Sequence, residues 1–506
     1  MADLSLNSDG ASSATAAAVS RADPVPLVTD LDGTLFRGDM LHESAADAMR
    51  YRPGKALLAV LGARSRPALK AALAAGHRID IARLPWREDL LADLRAQRAA
   101  GRRIVLATAA DGALAREVAA HLDLFDEVLA TEGTHNLKGA NKAATLVARY
   151  GERGFDYVGD SAADLEVWAH ARRAIVVGPK AASLRARLKV PDGEVTVWPE
   201  NTVGPAWRPA VKLLRPHQWV KNVLVFLPLL AGHKLGNVGA LVLALAAFFC
   251  MSFAASATYV LNDMLDLGAD RAHSRKRARP LASGRVSLVG GIGLGLGSLA
   301  VAALLALLLP PAAAALVAVY MAFTTLYSTV LKRKLLIDVF TLALLYTLRV
   351  LVGSEATGVL SSPWMLGFTG FLFLSLAFAK RAAEMMSLEK EGRFGAAGRD
   401  YFVWDRGTLT AAGVASSFCA SLVLALYIQS GEIGSLYRQP SWLWLAVPLV
   451  TYWLVRVWMI TLRGAMTDDP IVFAATDRTT WKVMAVLLLV GLVAAYSGTP
   501  LPGARP

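Results

Sequence analysis

The second half of the chain is dominated by long apolar segments. About nine of them follow residue 210, centred near Phe226, Ala247, Ser298, Val319, Leu344, Phe373, Val423, Val447 and Leu488. A helix needs ~20 predominantly apolar residues to cross the hydrocarbon core of a bilayer, and several of these segments approach that length. The first segment is short and depends on Trp219 to complete it. We therefore predict an all-α polytopic membrane bundle of about nine transmembrane helices over residues 210–506.

The composition of the whole chain agrees with a membrane protein. Of its 506 residues 55% are hydrophobic, which is too apolar for a soluble protein of this length. Much of the net charge of +13 lies in short loops between the apolar segments. That placement indicates a lipid bilayer as the partner, and no nucleic acid. Cys250 and Cys419 lie in apolar segments, so we expect small hydrophobic side chains there and not a disulfide or a metal site.

The loops alternate in charge along the membrane half. Loops after the second, fourth, sixth and eighth segments are rich in lysine and arginine, at residues 271–279, 332–334, 380–406 and 463–478. The loops near Gly232, Pro310, Gly358 and Gly434 are poor in both. Basic loops favour the cytoplasmic side. We expect a multi-pass inner-membrane protein with its amino-terminal domain in the cytoplasm and its carboxy-terminus outside.

The amino-terminal part has a different pattern. Residues 1–23 are predicted to be a disordered leader, because they lack the basic and apolar regions of a signal peptide. Residues 24–183 hold five short apolar runs separated by helical patterns: PLVTDLDGTLF, RRIVLATAA, DEVLAT, FDYVGDSAAD and AIVVGP. This alternation predicts a Rossmann-like α/β domain with a parallel sheet. A helical insert at about residues 39–95 is predicted to be a small cap, and residues 184–209 a linker.

Four motifs of this domain resemble those of the haloacid dehalogenase-like (HAD) phosphohydrolases, in the same order. They are DLDGT, the threonine of LATAA, the lysine of NLKG, and GDSAAD. The resemblance implies that Asp30 attacks phosphorus and that Asp32 serves as acid and base. Thr108 and Lys138 would hold the phosphoryl oxygens, and Asp30, Asp32 and Asp160 would bind Mg²⁺. The alternative is a degenerate domain kept for binding or folding.

A charged stretch, NDMLDLGADRAHSRKRARPLASGR, follows the second apolar segment. Asn262, Asp263, Asp266 and Asp270 fall near one flank of a helix, because residues three and four apart are neighbours. Three carboxylates need a positive partner, and their oxygens suit Mg²⁺ together with phosphate oxygens. The cations expected to hold further phosphate are Arg271, Arg275 and Arg279. The alternative is an ordinary solvated loop of a membrane protein.

The membrane half resembles the UbiA superfamily of intramembrane prenyltransferases. The sequence NDxxDxxxD matches that family's first diphosphate–Mg²⁺ motif, and RPLASG matches its downstream run. LYSTVLKRKLLIDV resembles its tyrosine- and lysine-bearing loop, with Tyr327 and Lys332. The resemblance implies that Asp263 and Asp266 are catalytic and that Asn262, Tyr327 and Lys332 contact the substrate.

The region after the sixth segment departs from the quinone-type members of that family. Those members carry a second aspartate-rich motif, whereas this chain has AFAKRAAEMMSLEKEGRFGAAGRDY, with Lys380 and Arg381. This pattern resembles the decaprenyl-phosphate phosphoribosyltransferase branch. The resemblance implies phosphoribosyl diphosphate as donor and a polyprenyl phosphate as acceptor, whose phosphate Lys380 and Arg381 would bind. The HAD domain would then dephosphorylate the product to polyprenyl-phosphoryl ribose.

Two other functions stay open on the sequence alone. One is an aromatic prenyltransferase that uses prenyl diphosphate and is fused to an unrelated phosphatase domain. The other is a non-enzymatic membrane scaffold with relic sites. The two enzymatic hypotheses share Asp263 and Asp266, so substrates and not mutations at those residues distinguish them.

Overall fold

In the computed structural model the chain separates into two units. The amino-terminal unit runs from Met1 to Ala210 and includes Asp263–Gly291, and the membrane unit contains Val211–Asn262 and Ile292–Pro506. The leader predicted at residues 1–23 lies outside the described residues except for Asp23. The structure describes residues 23–133, 136–188, 194–198, 205, 207–359, 361–395, 399–430, 433–434, 436–466 and 469–498.

A parallel sheet of six strands organises the amino-terminal unit. The strands are β1 (Leu27–Thr29), β2 (Ile104–Asp111), β3 (Glu127–Thr131), β4 (Asp156–Gly159), β5 (Arg173–Val176) and β6 (Val195–Val197). Their order is β3-β2-β1-β4-β5-β6, and every neighbouring pair is parallel. The predicted α/β fold is therefore confirmed, and β1 lies between β2 and β4.

Helices cover both faces of this sheet. Leu27 of β1 packs in one hydrophobic core and its neighbour Val28 packs in another, because successive strand residues point to opposite faces. Both residues are at most 1% exposed, as a parallel sheet buried on two sides requires. The helices of the unit are α1 (Met40–Tyr51), α2 (Pro53–Gly62), α3 (Arg66–Ala74), α4 (Glu88–Ala99), α5 (Gly112–Leu122), α6 (Ala140–Tyr150), α7 (Leu165–Trp168) and α8 (Ala181–Arg185).

The predicted cap consists of α1, α2 and α3. These helices share a small core of their own, made of Ala48, Ala56 and Leu73. Helix α4 also falls in the predicted insert at residues 39–95, but its Leu90 and Leu94 pack into the main core against the sheet. The cap is therefore shorter than the insert, since the apolar face of α4 belongs to the sheet layer.

Strand β6 lies in the segment that the sequence analysis assigned to a linker, residues 184–209. It pairs in parallel with β5, with Val195 opposite Ala174 and Val197 opposite Val176. Only three residues form this strand, which is too short for an alternating pattern to stand out among prolines. The sheet thus extends one strand beyond the predicted domain boundary.

Eight helices of the described chain are long and apolar enough to cross a membrane. They match eight of the nine predicted segments. The segment near Phe226 is instead a 3₁₀ stretch, Pro216–Phe226, followed by a five-residue helix. The helices beyond α8 are α9 (Trp207–Leu214), α10 (Leu227–Ala231), α11 (Val238–Leu265), α12 (Leu267–Ala272), α13 (Leu288–Ala306), α14 (Pro311–Thr329), α15 (Ile337–Thr357), α16 (Pro363–Lys390), α17 (Arg406–Gln429), α18 (Ala446–Leu462), α19 (Pro470–Thr476) and α20 (Arg478–Tyr496).

Candidate active sites

Three predicted site residues share the carboxyl edge of the sheet. Asp30 follows β1 directly, Thr108 lies in β2, and Asp160 follows β4. Because β2 and β4 flank β1, these residues come from adjacent strands. This edge is where open parallel sheets bind their ligands. Thr108 is fully buried, and its hydroxyl oxygen accepts a hydrogen bond of 3.0 Å from the backbone N–H of Ala110.

An acidic cluster of Asp30, Asp160 and Asp164 lies at this edge. Among the described residues it is the one group of three acidic, histidine or cysteine side chains whose ligand atoms all lie within 4.8 Å of one another. Burial, together with the charges of Asp30 and Asp164, raises the pKa of Asp160 to about 7. Crowded carboxylates are relieved by a cation, and oxygen donors fit Mg²⁺. The cluster therefore fits the predicted metal site in chemistry, although Asp32 is not one of its members.

A lysine that the sequence analysis did not select balances part of this charge. The Nζ atom of Lys142 lies 2.9 Å from Oδ1 of Asp30, and both side chains are buried. It also donates a 2.9 Å hydrogen bond to the hydroxyl of Tyr157, which donates to Oδ1 of Asp164 at 2.8 Å. The predicted lysine, Lys138, is exposed. The helical periodicity of the sequence could have indicated Lys142, since Lys142 and Leu146 are four residues apart on the buried face of α6.

Gly33 makes room for Asp160. A Cβ atom on Gly33 would lie 2.1 Å from Oδ2 of Asp160, and the backbone φ of Gly33 is +71°. Both facts require glycine, because other residues rarely adopt this φ and no side chain fits beside the carboxylate. The glycine of DLDGT thus lets the carboxylate of Asp160 lie directly against the backbone of the loop after β1.

Asp32 is linked to the cap. Its Oδ1 accepts a 2.8 Å hydrogen bond from the backbone N–H of Met40, the first residue of α1. Burial, reinforced by Asp39 and Asp30, raises the pKa of Asp32 well above its ordinary value. A raised pKa favours the protonated carboxyl, which suits the predicted role of Asp32 as general acid.

The cap also brings a cation to this edge. Lys70 of α3 donates hydrogen bonds to the carbonyl of Ala109 and, at 3.2 Å, to Oδ1 of Asn136. Burial lowers the pKa of Lys70, against the opposing charges of Asp32 and Asp39. The sequence analysis missed this residue, although it shares a helix face with Ala74, four residues on.

The pKa of Asp160 predicts a pH-dependent magnesium affinity. Protons compete with a cation for this carboxyl below pH 7, so the affinity for Mg²⁺ should rise by at least about tenfold from pH 6 to pH 8. Titration calorimetry on an Asp263→Asn background measures this, and Asp160→Asn should remove most of the pH step. An affinity equal at both pH values would contradict the prediction.

The raised pKa of Asp160 also determines how the stability of the fold depends on pH. Because the folded state raises the pKa of Asp160, it holds the proton more tightly than the unfolded state does. This contribution to stability is present below the unfolded pKa and is lost as the pH rises through about 7. Added Mg²⁺ is expected to restore the loss by binding the folded state.

Two acids of NDxxDxxxD lie beside one guanidinium group in the amino-terminal unit. Nη1 of Arg279 lies 3.1 Å from Oδ1 of Asp263 and 2.6 Å from Oδ2 of Asp270. Asp263 and Asp270 are 2% and 3% exposed. Burial raises the pKa of Asp270, while Arg279 acts against it. Arg279, predicted from the sequence to bind phosphate, thus pairs with two of the acids, and the donor chemistry of the acids also fits the predicted Mg²⁺.

Three other residues of this stretch have separate surroundings. Both Nη atoms of Arg271 bind the carboxylate of Glu43 in α1, each at 2.8 Å. Asp266 lies 3.5 Å from Arg50 of the same helix. Arg275 is exposed. Of the predicted phosphate-binding cations, Arg271 is therefore held by a carboxylate of the cap, which the sequence analysis did not foresee.

In the membrane unit, Lys380 and Arg381 have different partners. Arg381 is fully buried and lies 2.7 Å from Asp338, and it also binds Glu384. The hydroxyl of Tyr401 donates a 2.5 Å hydrogen bond to Asp338. Arg381 therefore belongs to a network of ion pairs inside the bundle. Lys380 has other partners, because successive residues of a helix point about 100° apart.

Lys380 contacts a different set of residues from Arg381. Its Nζ lies 3.3 Å from Oδ2 of Asp469, which also accepts a 2.5 Å hydrogen bond from Lys221. Neither Lys221 nor Asp469 was selected from the sequence. Tyr327 is half-buried and packs against the core that contains Phe378, and Lys332 and Asn262 are also half-buried.

Two different protein families match the amino-terminal part and the membrane part of the chain. The profile of the UbiA prenyltransferase family matches residues 223–474, and that of haloacid dehalogenase-like hydrolases matches residues 27–168. A protein of Mycobacterium tuberculosis named decaprenyl-phosphate phosphoribosyltransferase is 32% identical over 306 residues, covering 56% of this chain and 94% of that protein. The chain belongs to the UbiA prenyltransferase family. Its amino-terminal domain is a haloacid dehalogenase-like hydrolase domain.

Two further relatives are proteins of Sinorhizobium and Azorhizobium. The uncharacterized protein y4nM of Sinorhizobium fredii is 38% identical over 469 residues, 92% of this chain and 90% of that protein. The nodulation protein NoeC of Azorhizobium caulinodans is 32% identical over 282 residues, 55% of this chain and 90% of that protein. An alignment of 469 residues includes both domains, so the fusion of a HAD domain to a UbiA domain is shared with y4nM. The chain is thus an integral membrane protein that joins a hydrolase-family and a transferase-family domain.

Proposed function

We propose that the UbiA domain transfers a 5-phosphoribosyl group from phosphoribosyl diphosphate to a polyprenyl phosphate, and that the HAD domain removes the 5-phosphate from the product. The proposal rests on one observation above all, the relation to a named decaprenyl-phosphate phosphoribosyltransferase over 94% of that protein. Such a transfer makes a phosphomonoester, and a fused hydrolase supplies the chemistry that would remove it. Two sites on one chain raise the local concentration of the shared intermediate.

In the transfer step, an oxygen of the acceptor phosphate forms a bond to the anomeric carbon of the ribose. The bond from that carbon to the diphosphate breaks, and the diphosphate leaves with the electron pair. Asp263, Asp266 and Asp270 would hold Mg²⁺ here, as Asp30 and Asp160 would in the HAD domain. The bound ion would supply charge neutralisation at the leaving or transferred phosphate.

In the hydrolase step, a carboxylate oxygen of Asp30 forms a bond to phosphorus as the bond to the ribose oxygen breaks. Asp32 gives its proton to the leaving oxygen and then takes one from water, which cleaves the aspartyl phosphate to inorganic phosphate. Thr108 and Lys142 hold the phosphoryl oxygens in this proposal. Lys142 takes the role predicted for Lys138, because Lys142 is the lysine beside Asp30.

The charge of the loops supports a cytoplasmic HAD domain. Basic loops alternate with loops poor in lysine and arginine, and the segment 271–279 next to the acids of NDxxDxxxD is one of the basic ones. By the positive-inside rule this segment and the HAD domain face the cytoplasm, with the carboxy-terminus outside. This topology has nine crossings, the first made by residues 216–231 and the others by the eight long helices. Phosphoribosyl diphosphate, a soluble and highly charged donor, would then reach the acids without crossing the bilayer.

A substrate trial tests the proposal. Purified full-length protein with Mg²⁺, labelled phosphoribosyl diphosphate and polyprenyl phosphate should carry the ribose label into the organic phase and release inorganic phosphate. The expected lipid product lacks the 5-phosphate, as chromatography and mass spectrometry would show. Prenyl diphosphate with a phenolic acid should give no product.

Each alternative function predicts a different outcome of this trial. Turnover of prenyl diphosphate with a phenolic acid, and none with phosphoribosyl diphosphate, would identify an aromatic prenyltransferase. A relic scaffold predicts no turnover in either case and no stabilisation by Mg²⁺ with substrate. Phosphate release at the same rate with and without the lipid would contradict the coupling of the two domains.

A further inference from the structure

A group of cations lies around one carboxylate inside the membrane unit. Lys221 of the 3₁₀ stretch Pro216–Phe226 lies 2.5 Å from Oδ2 of Asp469, and Lys380 of α16 lies 3.3 Å from the same oxygen. The side chains of Lys221 and Asp469 are 8% and 10% exposed, and that of Lys380 is 27% exposed. Three separate parts of the chain therefore converge on one shielded oxygen atom.

A third cation, Arg349 of α15, lies near Lys221. Its Nε donates to Asn222 at 2.9 Å, and its Nη2 donates to the hydroxyl of Tyr320 at 2.9 Å. The guanidinium carbon of Arg349 lies 5.3 Å from the ring centroid of Tyr346, and Nζ of Lys221 lies 6.0 Å from the same centroid. In the described part of the chain the recorded contacts of Arg349 are with neutral groups, so it adds charge without adding a carboxylate.

Among the described residues, the cations around Asp469 outnumber the carboxylates. Burial raises the pKa of Asp469, but Lys380 and Lys221 outweigh burial and hold the pKa well below its ordinary value, so the carboxylate is ionised. It faces the two lysines, and Arg349 lies near Lys221. Other buried charges of the same unit are matched: Arg381 has Asp338 and Glu384.

An unbalanced positive charge inside a membrane domain is costly. Buried ionisable residues are paired or mark a substrate path, because the interior of a protein does not solvate them as water does. A phosphate group would supply the missing negative charge and accept hydrogen bonds from the lysines and the guanidinium. The 27% exposure of Lys380 leaves a side from which such a group can approach.

We propose that Lys221, Lys380 and Arg349 form a binding site for a phosphate monoester, with Asp469 as the internal counter-ion that competes with it. This inference rests on the proposed function, which includes two phosphate monoesters: the head of the polyprenyl phosphate and the 5-phosphate of the donor. Lys221 and Asp469 are the new assignments. The site differs from an Mg²⁺–diphosphate site, because its cations are side chains of the protein.

Two substitutions with opposite expected effects test the site. Lys221→Met keeps the apolar stem and removes the charge, and it should weaken the binding of polyprenyl phosphate about tenfold or more. Asp469→Asn removes the competing charge and should strengthen that binding, while its Oδ1 can still accept from Ile471 and Val472 as the helix cap. Arg456→Met is the matched control, because Arg456 forms a separate pair with Asp477.

The measurement uses full-length protein in lipid nanodiscs, with polyprenyl phosphate, uncharged polyprenol and phosphoribosyl diphosphate as separate probes. Weaker binding of polyprenyl phosphate by Lys221→Met, with polyprenol unchanged, supports a site for the lipid phosphate. Weaker binding of the donor alone assigns the site to its 5-phosphate. Unchanged binding of both would overturn the proposal, and so would an Asp469→Asn variant that loses as much affinity as Lys221→Met, since that result indicates a purely structural ion pair.

These measurements separate a failure of the proposed function from a failure of the proposed phosphate site. If the wild-type protein binds polyprenyl phosphate and Lys221→Met does not, the site exists even where no phosphoribosyl transfer is detected. If transfer occurs and Lys221→Met leaves every binding constant unchanged, the function stands and the site does not. Melting temperatures of all variants, measured in parallel, separate a loss of binding from a loss of folding.

Discussion

Replacing Asp30 by asparagine is expected to lower phosphate release by at least about 10³-fold, because an amide oxygen cannot replace the carboxylate that attacks phosphorus. Transfer of the ribose label to lipid should continue, so the lipid product should accumulate with its 5-phosphate intact. Mass spectrometry of the lipid extract measures the ratio of the two products. Phosphate release above a tenth of the wild-type rate would exclude Asp30 as the nucleophile.

The fold is expected to tolerate this substitution. Asparagine has nearly the shape of aspartate and keeps an oxygen that can accept the 2.9 Å hydrogen bond from the N–H of Leu31. Burial raises the pKa of Asp30, with the charge of Asp164 adding to the rise, so a neutral residue here relieves repulsion. The matched control is Asp123→Asn, an exposed position with φ of 44°, which asparagine adopts readily. It should leave both activities unchanged.

Replacing Asp263 by asparagine is expected to reduce phosphoribosyl transfer by at least about 10²-fold. The carboxylate is 2% exposed and lies 3.1 Å from Arg279, so it is held in place within the acidic stretch. Loss of its charge removes one of the three carboxylates proposed to bind Mg²⁺ with the leaving diphosphate. Transfer of label to the organic phase is the measurement.

The hydrolase domain provides an internal control for this variant. Hydrolysis of a small soluble phosphomonoester should be unchanged in Asp263→Asn, because Asp30 and its neighbours are untouched. Asp400→Asn is the matched substitution of an exposed carboxylate and should leave transfer unchanged. Equal transfer by the Asp263 and Asp400 variants would rule out the proposed metal site on the UbiA domain.

The sheet could be predicted from sequence to the extent that its strands lie in apolar runs. Strands β1 to β5 lie in such runs, whereas their order in the sheet was not predicted. Strand β6 has three residues and no such run, so only tertiary pairing with β5 defines it. In the membrane half the same reasoning found the eight long helices, while the short stretch at Phe226 became a 3₁₀ segment and a single short helix.

Side-chain partners were harder to predict than elements. A motif gives the lysine of NLKG, but the helix turns Lys142 and not Lys138 toward Asp30. Lys380 and Arg381 are adjacent in sequence, yet the geometry of a helix sends them to different networks. Asp469 lies in a loop far along the chain from both lysines. No local pattern reports a contact of that kind, because it depends on how distant helices pack.

The hydrogen bond from Met40 to Asp32 has a consequence for how such proteins diversify. Its donor is a main-chain N–H, so almost any amino acid at the first position of α1 can provide it. Lys70, in contrast, contacts the same edge through its side chain and can be lost or replaced by a single mutation. The side chains of α1 can therefore change over evolution while this main-chain contact with Asp32 persists.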